Sequence, residues 1–553
     1  MDGDSRGEAG ASPEDYPTRG NRSNDTGFRP DWASARTSSV PKREGTGVRR
    51  RLALILDLVA AVSSLVLVLV FQRRRNFLPA TTLVLFLLPL QEAARPLRIL
   101  TALLVAGLFL GEIARRFHRK ESLDLWIPAL LLPLVTSLSL VVHPTIVHPL
   151  SRIEAGPLFL NSLSAVAIFH IIRWHVRSED DAIPLLRRFA LLVLAGSAVA
   201  LLLSLVGATE SIADWQAEMQ VDAGLPVFAE RSFLFFRHPN QNAYFAALGL
   251  VLLFARGLTR DARKREKRER EGWEEPASLR EVERSWKDRR RESRLALLLG
   301  TGAVVVATNL ILSGSRGAIL ALPCAGLVGL VLARRLRLLT VSMSTLFLVL
   351  PLLLVMLLSI SSGDGTVTEG EQLASRLRDL TSPGSALRTR PILWQGALSA
   401  FLRSPILGVG PTNLPYHFLY ETPRMFTWSE EFLSTAPAHS LYLHVLATTG
   451  LLGLVSFLVL VGALLHRLVP GLEPRSSASR QELAFVGLMT LLFLLMIGLL
   501  GHTVIGIYSF NTSIFFAFFS LSLCGAGKPG TTRERQARGS LRFSRENDAL
   551  SHS

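Results

Sequence analysis

The sequence predicts an all-α polytopic membrane protein with about twelve transmembrane helices, and three observations predict it. Apolar residues come in continuous blocks, mostly of roughly 17 to 23, which at ~1.5 Å per residue cross a ~30 Å hydrocarbon core. The blocks do not alternate as barrel strands would, so helices are expected. Basic residues gather in the short segments between blocks, as the positive-inside rule requires of cytoplasmic loops. Finally, 49% of the residues are hydrophobic and 19% charged, with a mean hydropathy of +0.34, too little polar surface for a soluble multi-domain chain.

Thirteen apolar segments qualify: Leu52–Phe71, Phe77–Leu90, Leu97–Ala114, Leu125–Val142, Pro157–Trp174, Phe189–Gly207, Ala243–Phe254, Leu295–Leu312, Gly317–Leu332, Leu338–Ile360, Ser440–Leu465, Leu483–Leu500 and Val504–Cys524. The basic segments Arg115–Lys120, Arg173–Arg188, Arg256–Arg294, Ala333–Arg337, His466–Arg480 and the tail from Lys528 alternate as the cytoplasmic side, which puts the C-terminus inside. Lys42, Arg43 and Arg49–Arg51 place the N-terminus inside too, so one segment does not span. Phe77–Leu90 is the weakest, because it is short and Pro79 and Pro89 interrupt it. It is expected to be re-entrant or interfacial, with Arg73–Arg75 left as an outward exception.

The chain then divides into a disordered polar tail 1–51 without a signal peptide, transmembrane helices 52–207, a catalytic membrane domain 208–465, transmembrane helices 466–524 and a disordered cytoplasmic tail 525–553. The central domain contains a charged cytoplasmic loop 257–294, expected to be a solvated helix, and a large extracytoplasmic loop 361–439. Within that loop Pro391–Phe401 reads as a helix, so the loop is expected to be a small folded cap. The net charge of +16 is accounted for by loop residues, and no nucleic-acid partner is expected. Cys324 and Cys524 lie in or at the end of apolar segments, which supports neither a disulfide framework nor a thiolate metal cluster.

Basic residues on the outer face run against the positive-inside rule, and here they cluster. Arg231, Arg237 and His238 close the first outer stretch, Arg316 occupies a tight turn, and Arg376, Arg378, Arg388, Arg390 and Arg403 stud the cap. A guanidinium at the depth of Arg316 either snorkels to the headgroups or meets an anion. Planar forks facing a bilayer suit a lipid-linked diphosphate, whose oxygens they grip in pairs and whose departing charge they neutralise. His439, where the cap enters the next span, is either an interface residue or a base for a hydroxyl near neutral pH. His444, five residues on, turns ~140° away in a continuous helix and reads as packing. Asp214, Glu218 and Asp222 read as a solvated acidic stripe. No Asp-x-Asp pair, His-rich cluster or Gly-rich phosphate loop stands between the apolar segments on either side of the membrane, so neither a metal nor a cofactor is expected.

Four stretches resemble the bacterial O-antigen ligases and the polysaccharide polymerases that share their membrane domain. HPNQNAYFAALGL (His238–Leu250) resembles their Pro-Asn helix start, and ILSGSRGAILAL (Ile311–Leu322) their Ser-Arg-Gly turn. Ser375–Asn413 resembles an Arg-x-x-x-Trp element followed by Pro-(x)-Leu-Gly-x-Gly, and AHSLYLHVLATTGLLGL (Ala438–Leu454) the family's His-Asn element, with Ser440 where Asn is usual. The likeness runs from about Phe189 to Leu465.

It implies metal-independent, inverting transfer of a glycan from an undecaprenyl-diphosphate carrier to a glycan, lipid or protein hydroxyl, at the outer face of the bacterial cytoplasmic membrane. By motif, Arg316 and Arg390 hold the diphosphate and His439 acts on the acceptor, with Arg388, Arg376, Arg237, His238 and Asn240 as further substrate-binding candidates. Gly408 and Gly410 are expected to serve close backbone packing. A flippase of lipid-linked sugars would want charged residues deep in the bundle, where only His170 and Asn309 stand out, and a non-catalytic scaffold would leave the outer arginines as snorkels.

Overall fold

The computed structural model of the chain describes residues 78–90, 95–143, 155–205, 239–259, 279–313, 315–332, 384–421, 438–473, 476–500 and 509–524, with a few single positions between 59 and 67 and at 263 and 266. Both polar tails, the segment Leu338–Ile360, residues 206–238, and the parts 361–383 and 422–437 of the expected cap lie outside the described residues. Among the described residues there are no strands. The helices are α1 (Leu78–Leu90), α2 (Arg95–His118), α3 (Ile127–Val142), α4 (Ala155–His175), α5 (Glu179–Leu205), α6 (Pro239–Leu258) and α7 (Leu279–Leu312). They are followed by α8 (Arg316–Leu332), α9 (Gly384–Arg403), α10 (Leu414–Glu421), α11 (Leu441–Leu468), α12 (Ala478–Leu500) and α13 (Ser509–Ser522).

Among the described residues four helical stretches are long and apolar enough to cross a membrane: Glu179–Leu202, Asn240–Leu258, Leu441–Leu472 and Ala478–Leu499. Five shorter apolar helices accompany them, α1 included. That helix corrects one expectation. Leu78–Leu90 runs as one helix through both prolines, Pro79 in the first turn, where a missing amide is tolerated, and Pro89 inside the helix one residue before its end, and it buries Ala80, Val84, Leu85 and Leu88. The charged stretch is helical from Leu279 onward and runs without a break into the apolar segment ending at Leu312. The helix expected over Pro391–Phe401 lies inside α9.

Helix α12 is apolar all round because it is surrounded: α5, α6, α8, α11 and α13 all pack against it. Where α8 meets it, Gly326 and Gly329 leave a groove for Met489, so the two backbones approach closely without a polar contact. The Phe-rich α13 faces α4, and its rings meet the neighbours edge-on. Phe516 packs against Phe169 at 6.1 Å between centroids, and Phe518 against Phe189 at 5.1 Å. The outside of the bundle is apolar as well: Leu110, Leu134, Leu191, Leu202, Leu297, Leu320 and Val455 are exposed. An apolar core inside an apolar exterior is the pattern of a multi-pass membrane protein.

Several polar groups inside the bundle are paired across helices. Asn242 of α6 and Asn309 of α7 exchange amide hydrogen bonds of 3.1 and 3.2 Å, and the Asn309 amide also donates to Ser197 Oγ of α5 at 3.1 Å. His170 accepts from the Trp126 amide at 3.1 Å and its Nδ1 faces Val166 O at 2.9 Å, so this buried imidazole secures the start of α3. Arg480, at the start of α12, donates to Ser522 O, Cys524 O and Arg467 O at 2.9 to 3.0 Å, closing carbonyls at the C-terminal ends of α13 and α11. These contacts give a test of the interior pairing. Asn309→Leu strands the Asn242 amide and should cost ~1–3 kcal/mol in detergent unfolding, whereas adding Asn242→Leu should recover part of that loss.

Candidate functional site

Helix α11 is broken where its sequence reads TTGLLG. Gly450 takes φ 66° and ψ −162°, a backbone region that only glycine occupies without strain. In an unbroken helix the amides of Leu451 and Leu452 would donate to Ala447 O and Thr448 O. Here they donate to Pro405 O at 2.8 Å and Ile406 O at 3.2 Å, while Ala447 O and Thr448 O accept from the amides of Val409 at 2.8 Å and Gly410 at 3.1 Å. The segment after α9 thus enters the break and replaces two helical bonds by four. A Cβ on Gly408 would fall on the Thr448 backbone and one on Gly450 on the Ile406 carbonyl, so both glycines are required by contact as well as by φ. The expected close packing at Gly408 is therefore observed. Ser139 of α3 completes the junction, its hydroxyl lying 2.8 Å from Leu407 O and 2.9 Å from Thr448 O.

This junction fixes α9 and α10 against the first half of α11. Leu393, Ala397 and Ala400, on one face of α9, pack with Val409, Leu414, Phe418, Ala438 and Ala447 in a small apolar core separate from the main one. On that base α9 presents Arg390, half-buried, one turn before Trp394. His439 stands just before α11, ahead of the N-cap Ser440, with φ 49°. A left-handed histidine costs ~1–2 kcal/mol, which the surrounding contacts must supply. Burial, with the nearby Arg390 charge second, pulls the His439 imidazole down to about 4, so it is neutral at pH 7 and can accept a proton. Arg390 and His439 are thereby within electrostatic reach of each other.

The opposite wall comes from α6, α7, α8 and α12. Helix α7 ends at Leu312 in a turn held by Ser313, whose hydroxyl donates to Leu310 O at 2.6 Å and accepts from the Ser315 amide at 3.4 Å. Arg316 is the first residue of α8, with its side chain outside the described atoms. The next residue, Gly317, lies against Ile497 of α12, and Gly498 lies against Leu441 of α11. The hydroxyl of Tyr442 donates to Leu495 O at 2.8 Å. The C-terminal end of α12 therefore stands between the Arg316 turn and the His439 turn, and all three share one end of the bundle. The Asn242–Asn309 pair brings the start of α6, with Asn240 and Gln241, to that same end.

Of the residues singled out in sequence, Arg390 and His439 are brought together, Arg316 and Asn240 lie at the same end, and Arg388 falls on α9 with its side chain outside the described atoms. Arg376, Arg237 and His238 lie outside the described residues. His444 corrects an expectation. Because His439 is not helical, the rotation between them does not apply, and the two imidazoles are within electrostatic reach, with His444 Nδ1 buried and unbonded. Two further polar groups went unnoticed. The Trp394 indole N–H is buried without a partner among the described residues, and so are both amide atoms of Gln241. Only their setting, polar atoms at the ends of apolar helices, hints at them in sequence.

Residues 301–458 match the protein family described as O-Antigen ligase. That span holds the Arg316 turn, the α9 element and the broken α11, and leaves the Pro-Asn start of α6 outside it. No curated protein matches the chain. A multi-pass bundle with a broken helix seated on Gly408 and Gly450, and with arginine and histidine gathered at one end, thus carries over residues 301–458 the domain of the O-antigen ligase family.

Proposed function

We propose that this protein transfers a glycan from an undecaprenyl-diphosphate carrier to an acceptor hydroxyl at the outer face of the bacterial cytoplasmic membrane. The observation that carries the reading is that one backbone junction, inside the segment matched by the family, holds both α9 with Arg390 and the start of α11 with the half-buried His439. In a twelve-span arrangement, with the N- and C-termini inside, this end of the bundle faces outward and the lipid tail lies along the spans.

The acceptor oxygen attacks the anomeric carbon while His439 takes its proton, and the bond from that carbon to the diphosphate oxygen breaks with inversion. Arg390 and Arg316 then meet the negative charge that builds on the departing diphosphate. No metal is needed, because a diphosphate neutralised by two guanidiniums is already a competent leaving group. A second arginine on the same helix, Arg388, and the further candidates Arg376, Arg237 and His238 would widen the grip on the head of the donor. Asn240, at the start of α6, would contribute from the facing wall.

Three experiments test this. Single Ala substitutions at Arg316, Arg390 and His439 should each lower glycan transfer by ~10²–10³-fold at normal protein level. Full transfer by all three variants would remove the assignment. The kcat/KM for the donor should hold from pH 8 to about 5 and fall only as His439 protonates near 4. A limb at ~6.5 would mean an ordinary exposed histidine carries the proton. Finally, purified protein given lipid-linked repeat units alone should lengthen them if it is a polymerase and leave them unchanged if a separate acceptor is required.

A further inference from the structure

Gln241 is the third residue of α6 and is 1% exposed, yet neither its amide nitrogen nor its amide oxygen has a hydrogen-bond partner among the described residues. A primary amide offers two N–H donors and two acceptor lone pairs, and burying both ends dry forfeits their hydration without return. Leucine or methionine would fill the same volume without that cost. The residue beside it behaves in the opposite way, since the Asn242 amide is fully engaged with Asn309.

The helix cannot roll to bring the Gln241 amide to a partner. One turn further on, Tyr244 meets Phe493 of α12 edge-on at 5.9 Å and Phe245 meets Phe189 of α5 at 5.7 Å, and both rings are fully buried. The Asn242–Asn309 pair fixes the helix to α7. Helix α6 also packs against α8, whose first residue is Arg316, and against α12, whose end separates Arg316 from His439. The unpaired amide is therefore held in place at the end of the bundle where the diphosphate and the acceptor are read to meet.

The chemistry of the missing partner follows from the amide. Phosphate oxygens at neutral pH only accept hydrogen bonds, and a lipid chain offers none. A group that donates and accepts from one position is a sugar hydroxyl or an acetamido substituent. We infer that Gln241 is a sugar-binding residue of the donor site, its amide hydrogen-bonding a hydroxyl or acetamido group of the carbohydrate next to the lipid diphosphate. The inference rests on the glycan transfer proposed above and adds to it the residue that distinguishes a loaded carrier from a spent one. Release of the bare carrier after transfer would leave this amide unpaired again, which weakens product retention.

The test uses the full chain in nanodiscs, with undecaprenyl diphosphate and undecaprenyl-diphospho-N-acetylglucosamine as the two probes. Gln241→Met should unfold at the wild-type temperature or above it, bind the bare lipid diphosphate as the wild type does, and bind the glycosylated lipid at least ~10-fold more weakly. Gln241→Asn keeps the chemistry but withdraws the amide by one methylene, and should show the same selective loss should the Met variant fail to fold. Unchanged affinity for the glycosylated probe, as expected if a buried water satisfies the amide, overturns the inference, and so does an equal loss for both probes. Arg390→Ala is the control: intact binding of bare undecaprenyl diphosphate by that variant would sink the proposed transfer site itself, whatever Gln241 does.

Discussion

A bilayer offers no hydrogen-bond partner to a broken helix, and the junction at Gly450 answers that constraint. Two amides and two carbonyls freed in α11 are bonded to Pro405, Ile406, Val409 and Gly410, so the interruption is closed by backbone from another part of the chain. It lies nine residues from the start of α11, ~13 Å along a helix long and apolar enough to cross a membrane. The same bonds that close the gap set the position of α9, hence of Arg390, and of the first half of α11, hence of His439. One set of backbone bonds thus supports the junction and positions both Arg390 and His439, which is how side chains are held precisely without many contacts of their own.

The rest of the interior follows a consistent rule. Apolar helices approach closely at small residues, as at Gly326, Gly329 and Met489, and the few polar side chains are spent on fixing helix pairs or helix ends. Asn242 with Asn309 ties α6 to α7, and Arg480 gathers the ends of α11 and α13. Against that background Gln241 stands out, since both ends of its buried amide are unbonded among the described residues while the adjacent Asn242 amide is paired.

Much of this was legible in the sequence, and the reasons for the remainder are physical. Continuous apolar blocks show directly as helices, because length and periodicity are local properties, and the helix in Pro391–Phe401 followed from them; a solvated helix was expected in the charged stretch, but not that it runs on into the apolar segment as α7. Pro79 and Pro89 misled because proline counts as a breaker by type, while its effect depends on where the helix ends happen to fall. His444 misled because a helical rotation was applied across His439, whose positive φ is set by tertiary contacts. Gly408 and Gly410 of the PILGVGP stretch announced close packing, but not that the stretch packs on the TTGLLG break of α11.

One contact in the junction comes from far away in the chain. Ser139 of α3, which shares its hydroxyl between Leu407 O and Thr448 O, lies well before residue 301, where the family's segment begins. The boundary of homology is consequently not a boundary of folding. A fragment cut at 301–458 would keep the recognisable motifs but lose both a hydroxyl from the mid-membrane break and the helix that covers it. The recognised segment borrows part of its floor from sequence that carries no family signature, and that borrowed wall is free to diverge only so far as it still delivers one small donor to the gap.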